Sequence, residues 1–164
     1  MPIALVNTED RKRVIFSGDS AIDAKKSDVD KYQDTLDIDH LVFHADDQPT
    51  YWTIKPLSTK DVRQARRKAS QDAGTALVAG MELFCECFLR GVVKIENLAQ
   101  RIDGPYKRGI PQGLADQIPL TVQQEIGQHI YQLSVPQADP VKEVEDEHPD
   151  GDHLAPDPED DLKK

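Results

Sequence analysis

The chain has 164 residues, which is enough for one domain with a single hydrophobic core. Its formal net charge is −10, but residues 139–164 alone carry −8, so the rest of the chain carries only −2. Because most of the negative charge lies in residues 139–164, the acidic net charge does not predict which partners the folded part binds. The sequence shows no leader in which positive charges precede an apolar core, and it has no apolar run approaching about 18 residues. We therefore expect a cytoplasmic protein with reduced thiols and no membrane partner.

Residues 1–36 are predicted to form an N-terminal arm and a mobile polar loop. The short runs 3–6 and 14–16 are β-prone and could be strands or a loose arm. Residues 17–35 are polar, mixed in charge and without sustained periodicity. Such a segment is typical of a functional loop or of disorder.

Residues 37–138 are predicted to form an α+β core domain, a small β hairpin or short antiparallel sheet packed on three to four helices. Residues 37–44 and 50–57 are rich in β-branched and aromatic side chains and are separated by a turn-like segment, which indicates the hairpin. Trp52 and Ile54 lie on one face of the second strand by the two-residue period.

The first helix of the core domain is predicted to begin after Ser58. Ser58 is a favourable N-cap and Asp61 follows three residues later, as in a capping box. The start of this helix is basic, with Lys60, Arg63, Arg66, Arg67 and Lys68. These cations could contact phosphates, but no nucleic-acid motif or aromatic interleaving accompanies them. We expect a solvated helix face and no nucleic-acid partner.

A second, more apolar helix is predicted from an i, i+4, i+7, i+11 spacing. Its stripe consists of Leu77, Met81, Phe84 and Phe88. Gly91 is expected to end this helix in the C′ position, and residues 92–98 are expected to add a further turn or two.

The last helix is predicted to begin at Thr121, with Gln124 completing a capping box, and to end at Ser134 before Pro136. Its apolar face consists of Val122, Ile126, Ile130 and Leu133. Residues 139–164 combine eleven acids with four prolines, cannot bury enough apolar area to offset their ordering entropy, and are predicted to be a disordered acidic tail.

No set of side chains predicts catalysis, a cofactor or a metal site. Cys85 lies next to Phe84 on the apolar stripe, and Cys87 has glutamates nearby, which would raise a thiol pKa rather than lower it. His40 and His44 share a face of a predicted strand but lie roughly 13 Å apart, too far to share a metal ion. We therefore expect a non-catalytic protein.

The order of features from Tyr51 to Ser134 carries a resemblance to a known family. An aromatic strand ends in IKPLS, a helix follows, an apolar helix ends in CFLRGVVKIEN, and a proline-containing loop leads to IPLTVQQEIGQHIYQLS. This order resembles small proteins of tailed-bacteriophage structural modules, especially tail assembly chaperones. The resemblance covers about half of the chain. It implies a protein that binds the helical tape-measure protein or tail-tube subunits in the host cytoplasm, with no catalytic residues.

The resemblance raises the question of where a partner would bind. An apolar groove between the second and last helices could accept a partner helix. The residues that would line this groove are Met81, Phe84, Phe88, Ile126, Ile130 and Leu133. The same residues could simply form the core. The alternative function is that of a structural virion component, such as a head-to-tail joining or capsid-associated subunit. With either function, the protein could form a homo-oligomer.

Overall fold

The computed structural model describes residues 5–135, which contain an antiparallel four-stranded sheet and five α-helices. The strands are β1 (Lys12–Ile15), β2 (Tyr51–Ile54), β3 (Val92–Leu98) and β4 (Arg101–Asp103). The helices are α1 (Val29–Thr35), α2 (Thr59–Asp72), α3 (Ala76–Gly91), α4 (Gln112–Ala115) and α5 (Leu120–Ser134). The predicted α+β fold is confirmed, and the tail predicted for residues 139–164 lies outside the described residues.

The strands lie in the order β1-β2-β3-β4, with β2 in the interior of the sheet. Trp52 is paired with Val14 on one side and with Ile95 on the other. All three side chains are buried in the main core, as is Ile54. Trp52 and Ile54 thus share a buried face, as the two-residue period predicts.

The predicted hairpin between residues 37–44 and 50–57 is wrong. Within the first of these segments the chain forms a 3₁₀ helix, Ile38–His40, and its N-cap Asp37 accepts a hydrogen bond from the backbone N–H of Asp39 at 3.1 Å. This local capping competes with strand formation. The neighbour of β2 is therefore β1, a strand from the predicted N-terminal arm.

Residues 17–35 differ from the irregular loop expected, because they contain α1. Tyr32 of α1 is fully buried, and its hydroxyl accepts a hydrogen bond from the N–H of Ile15 and donates one to the Ile15 carbonyl, both at 2.6 Å. These bonds satisfy main-chain groups of β1. A second, smaller hydrophobic cluster surrounds them, with Ile22 and Leu41.

The chain after α3 forms β3 rather than further helical turns. Val92 and Ile95 are fully buried, and pairing with β2 satisfies the strand's backbone. Gly91 is the last residue of α3 and does not have a left-handed conformation, so the predicted C′ role is wrong. A Cβ at Gly91 would overlap the side chain of Ile130. This glycine therefore allows α3 and α5 to approach closely.

The helix starts were predicted with mixed success. The Ser58 hydroxyl oxygen accepts a hydrogen bond from the Asp61 N–H at 3.2 Å, so the predicted cap of α2 is confirmed. The capping box predicted at Thr121 and Gln124 is wrong, because α5 begins at Leu120 after Pro119 and has no side-chain cap. Its predicted end at Ser134 is confirmed.

Candidate partner-binding site

α3 carries an apolar stripe along its whole length, but α5 packs on only the second half. In that half Phe88 is fully buried, and the ring of Phe84 lies 6.0 Å from the ring of Tyr131 on α5. The backbone of Gly127 approaches the Phe84 carbonyl so closely that a Cβ there would overlap it. The two helices are thus in close contact at the level of Phe84 and Gly127.

The six residues predicted to line a groove are therefore divided between the core and the surface. Phe88, Ile126 and Ile130 are all 0 % exposed and belong to the main core, so their side chains offer no accessible surface to a partner. Phe84 and Leu133 are half-buried. Of the six, only Met81 is exposed, with 40 % of its surface accessible.

The first half of α3 leaves apolar side chains uncovered. Leu77 is 77 % exposed and Val78 is 40 % exposed, as is Met81. Residues three and four apart are neighbours on a helix, so these three form one contiguous patch, which we call the α3 apolar surface. An added Cβ at Gly80 would meet no atom within 4 Å, so nothing in the described chain packs there either.

The α3 apolar surface lies on a firmly held helix. The hydroxyl of Thr75 caps the helix start by accepting a hydrogen bond from the N–H of Val78 at 3.3 Å. Further along, Glu86 is 8 % exposed and pairs with Lys68 of α2 at 2.5 Å and with Arg90 at 3.6 Å. A buried carboxylate with two cationic partners fixes the packing of α3 on α2. The apolar patch is therefore presented in a defined orientation.

Neither cysteine is an activated nucleophile. Burial raises the pKa of Cys85 to about 11 and the pKa of the more deeply buried Cys87 to about 12. At neutral pH both sulfurs therefore carry a proton, whereas nucleophilic attack requires the thiolate.

A polar cluster that the sequence did not reveal joins the end of β1 to α5. The Glu125 carboxylate accepts hydrogen bonds from the Ser17 N–H at 2.7 Å and from its hydroxyl at 2.6 Å. His129, only 4 % exposed, lies 3.7 Å from the same carboxylate. Burial acts to raise the pKa of Glu125, but interactions with His129 and Ser17 outweigh it and hold this pKa below its ordinary value of 4.5.

This cluster has the arrangement of a structural anchor. In a hydrolase the imidazole lies between the serine hydroxyl and the carboxylate, whereas here the carboxylate lies between Ser17 and His129. The only sequence signal for it is the four-residue spacing of Glu125 and His129 within an amphipathic helix.

Two further findings concern the described part of the chain. Residues 5–135 contain no group of three or more His, Cys, Asp or Glu side chains placed to hold a metal ion. In the same range, none of the helices has the length and apolar character needed to cross a membrane.

Comparison of the chain with protein families, with curated proteins and with solved structures finds no match.

Proposed function

We propose that this protein is a non-catalytic morphogenesis protein of a tailed bacteriophage, a tail assembly chaperone that binds a tape-measure or tail-tube protein. The observation that carries the proposal is the α3 apolar surface, formed by Leu77, Val78 and Met81. The order of motifs between Tyr51 and Ser134 supports the choice of this family, and the exposed patch is the surface proposed to bind the partner. The partner segment is an amphipathic helix, which would lay its apolar face along α3 and continue the stripe that α5 leaves uncovered.

The size of the patch favours temporary binding. Fully burying one large apolar side chain stabilises by about 1.5–3 kcal/mol. Given the exposed fractions of Leu77, Val78 and Met81, covering all three contributes about 3 kcal/mol, which corresponds to roughly a hundredfold in Kd. This contribution is large enough to select a partner and small enough to permit its release.

The test is a pair of matched double variants. Leu77→Glu/Met81→Glu places two charges on the α3 apolar surface, where they should abolish co-purification with a long helical tail protein from infected cells. Ile102→Glu/Leu120→Glu makes the same chemical change at two side chains that are 65 % and 55 % exposed elsewhere. This control should retain the partner.

Thermal unfolding of both variants separates binding from folding. All four positions are exposed, so each variant should melt close to the native protein. A folded Leu77→Glu/Met81→Glu protein that still co-purifies with the tail protein at the native level would refute the proposal.

A further inference from the structure

The outward face of α2 carries cations without partners in the described chain. Val62, Ala65 and Ala69 turn the opposite side of the helix toward the interior. The exposed cations on the outward face are Lys60, Arg63 and Arg67, which we call the α2 basic face. Within residues 5–135, none of these three forms an ion pair with a carboxylate.

The other two cations of the helix are held by its neighbours. Lys68 pairs with Glu86 of α3 at 2.5 Å. Arg66 donates a hydrogen bond to the Tyr131 hydroxyl of α5, and its guanidinium carbon lies 5.5 Å from the centre of that ring. The flanks of α2 are thus occupied by α3 and α5, while the α2 basic face between them remains open.

The last described residues lie next to the start of α2. The hydroxyl of Ser134, at the end of α5, accepts a hydrogen bond from the N–H of Leu57 at 2.7 Å, two residues before α2 begins. Val135 is the last described residue. In the sequence, three residues separate Val135 from the acidic segment, residues 139–164, which carries a net charge of −8.

We propose that the acidic segment 139–164 docks on the α2 basic face of the same chain and covers it. The eight residues that follow Val135, up to Glu143, can span up to about 28 Å, whereas α2 is only about 21 Å long. The acids from Glu143 onward can therefore reach every cation of the face.

The tether also favours this occupant over an outside one. A short flexible link gives a segment an effective concentration of the order of millimolar at a neighbouring surface. The first dense group of acids in the segment is Glu143, Glu145, Asp146 and Glu147. Charge attraction of this kind needs no regular structure in the segment, and it keeps other polyanions away from α2. The inference is independent of the function proposed above.

The salt dependence of the tail and α2 amide signals provides the test. Exposed charges separated by more than the Debye length are screened, and the Debye length falls from about 10 Å at 0.1 M to about 3 Å at 1 M salt. Amide NMR of the ¹⁵N-labelled full chain should show residues 143–147 and α2 shifting together as NaCl is raised. In Lys60→Gln/Arg63→Gln/Arg67→Gln the low-salt spectrum of residues 143–147 should already match the high-salt spectrum of the native chain.

A charge-matched control distinguishes docking from a general field effect. Lys25→Gln/Lys26→Gln/Lys31→Gln also removes three positive charges, from exposed positions in or before α1. This control should leave the salt response of residues 143–147 intact. Equal loss of the response in both triple variants, or tail amides unchanged by the α2 substitutions, would overturn the proposal. A DNA duplex that binds the α2 basic face of the full chain without shifting the amides of residues 143–147 would also overturn it.

Discussion

Replacement of Gly127 by alanine tests the packing of α5 on α3 directly. The added Cβ would overlap the carbonyl oxygen of Phe84 and approach its carbonyl carbon within 2.6 Å. Both are main-chain atoms inside α3, so no side-chain rotation can relieve the overlap and one helix must move. A matched control lies in α3 itself, where a Cβ at Gly80 would meet nothing within 4 Å.

The two substitutions should change stability in opposite directions. Alanine in place of glycine inside a helix gains about 1 kcal/mol at most, so Gly80→Ala should stabilise the protein by about 0.5–1 kcal/mol. Overpacking costs about 1–3 kcal/mol and occasionally more. Because the Gly127 overlap involves backbone, we expect the cost to lie at or above the upper end and Gly127→Ala to lose about 2 kcal/mol net.

Urea unfolding followed by the fluorescence of Trp52, the only tryptophan, measures both changes. Trp52 is 3 % exposed and packs against Phe88 of α3, so it reports the core that these helices share. A Gly127→Ala protein as stable as the native protein would refute the close approach of α5 and α3.

Two further predictions concern the contacts that hold β1. Tyr32→Phe removes the hydroxyl that pairs with both main-chain groups of Ile15 and should cost about 1–3 kcal/mol in denaturant unfolding; an unchanged midpoint would contradict the contact. Ser17→Ala removes a hydrogen bond to the Glu125 carboxylate, whose lowered pKa stabilises the fold above about pH 4.5 and loses that contribution as the pH falls through the folded pKa. Ser17→Ala should therefore destabilise by about 1.5–3 kcal/mol near pH 7 and by less near pH 3, and an equal loss at both pH values would contradict this role.

Helices α2, α3 and α5 were predictable because their signals are local, whereas α1 and α4 were not predicted. Ser58 and Asp61 form the cap of α2 within one turn of sequence, and the apolar spacing predicts α3, although of the four residues in that spacing only Phe88 is fully buried. The sheet was not predictable in the same way, because β2 pairs with strands that are distant in the sequence. Residues 37–44 have a composition typical of a strand, yet β1 pairs with β2 and the Asp37 cap starts a 3₁₀ helix. Composition cannot decide between a near and a distant partner for a strand.

The candidate site was predictable only in part. The sequence places Met81 and Phe88 on one stripe of α3, but periodicity does not say how much of a stripe a neighbouring helix will cover. That extent depends on where α5 crosses, which Gly91 and Gly127 determine by allowing close contact. Leu77 is therefore surface while Phe88 is core, although both share one spacing.

Mass spectrometry of purified virions and of infected cells tests the proposed chaperone role most directly. A chaperone is released when the tail tube closes, whereas a structural subunit stays at a fixed stoichiometry. We expect peptides from residues 61–90 in infected-cell lysates, together with a long helical tail protein, and none in finished particles. The same peptides in purified virions, at copy numbers matching a portal, neck or capsid ring, would contradict the chaperone role and assign the protein to the virion.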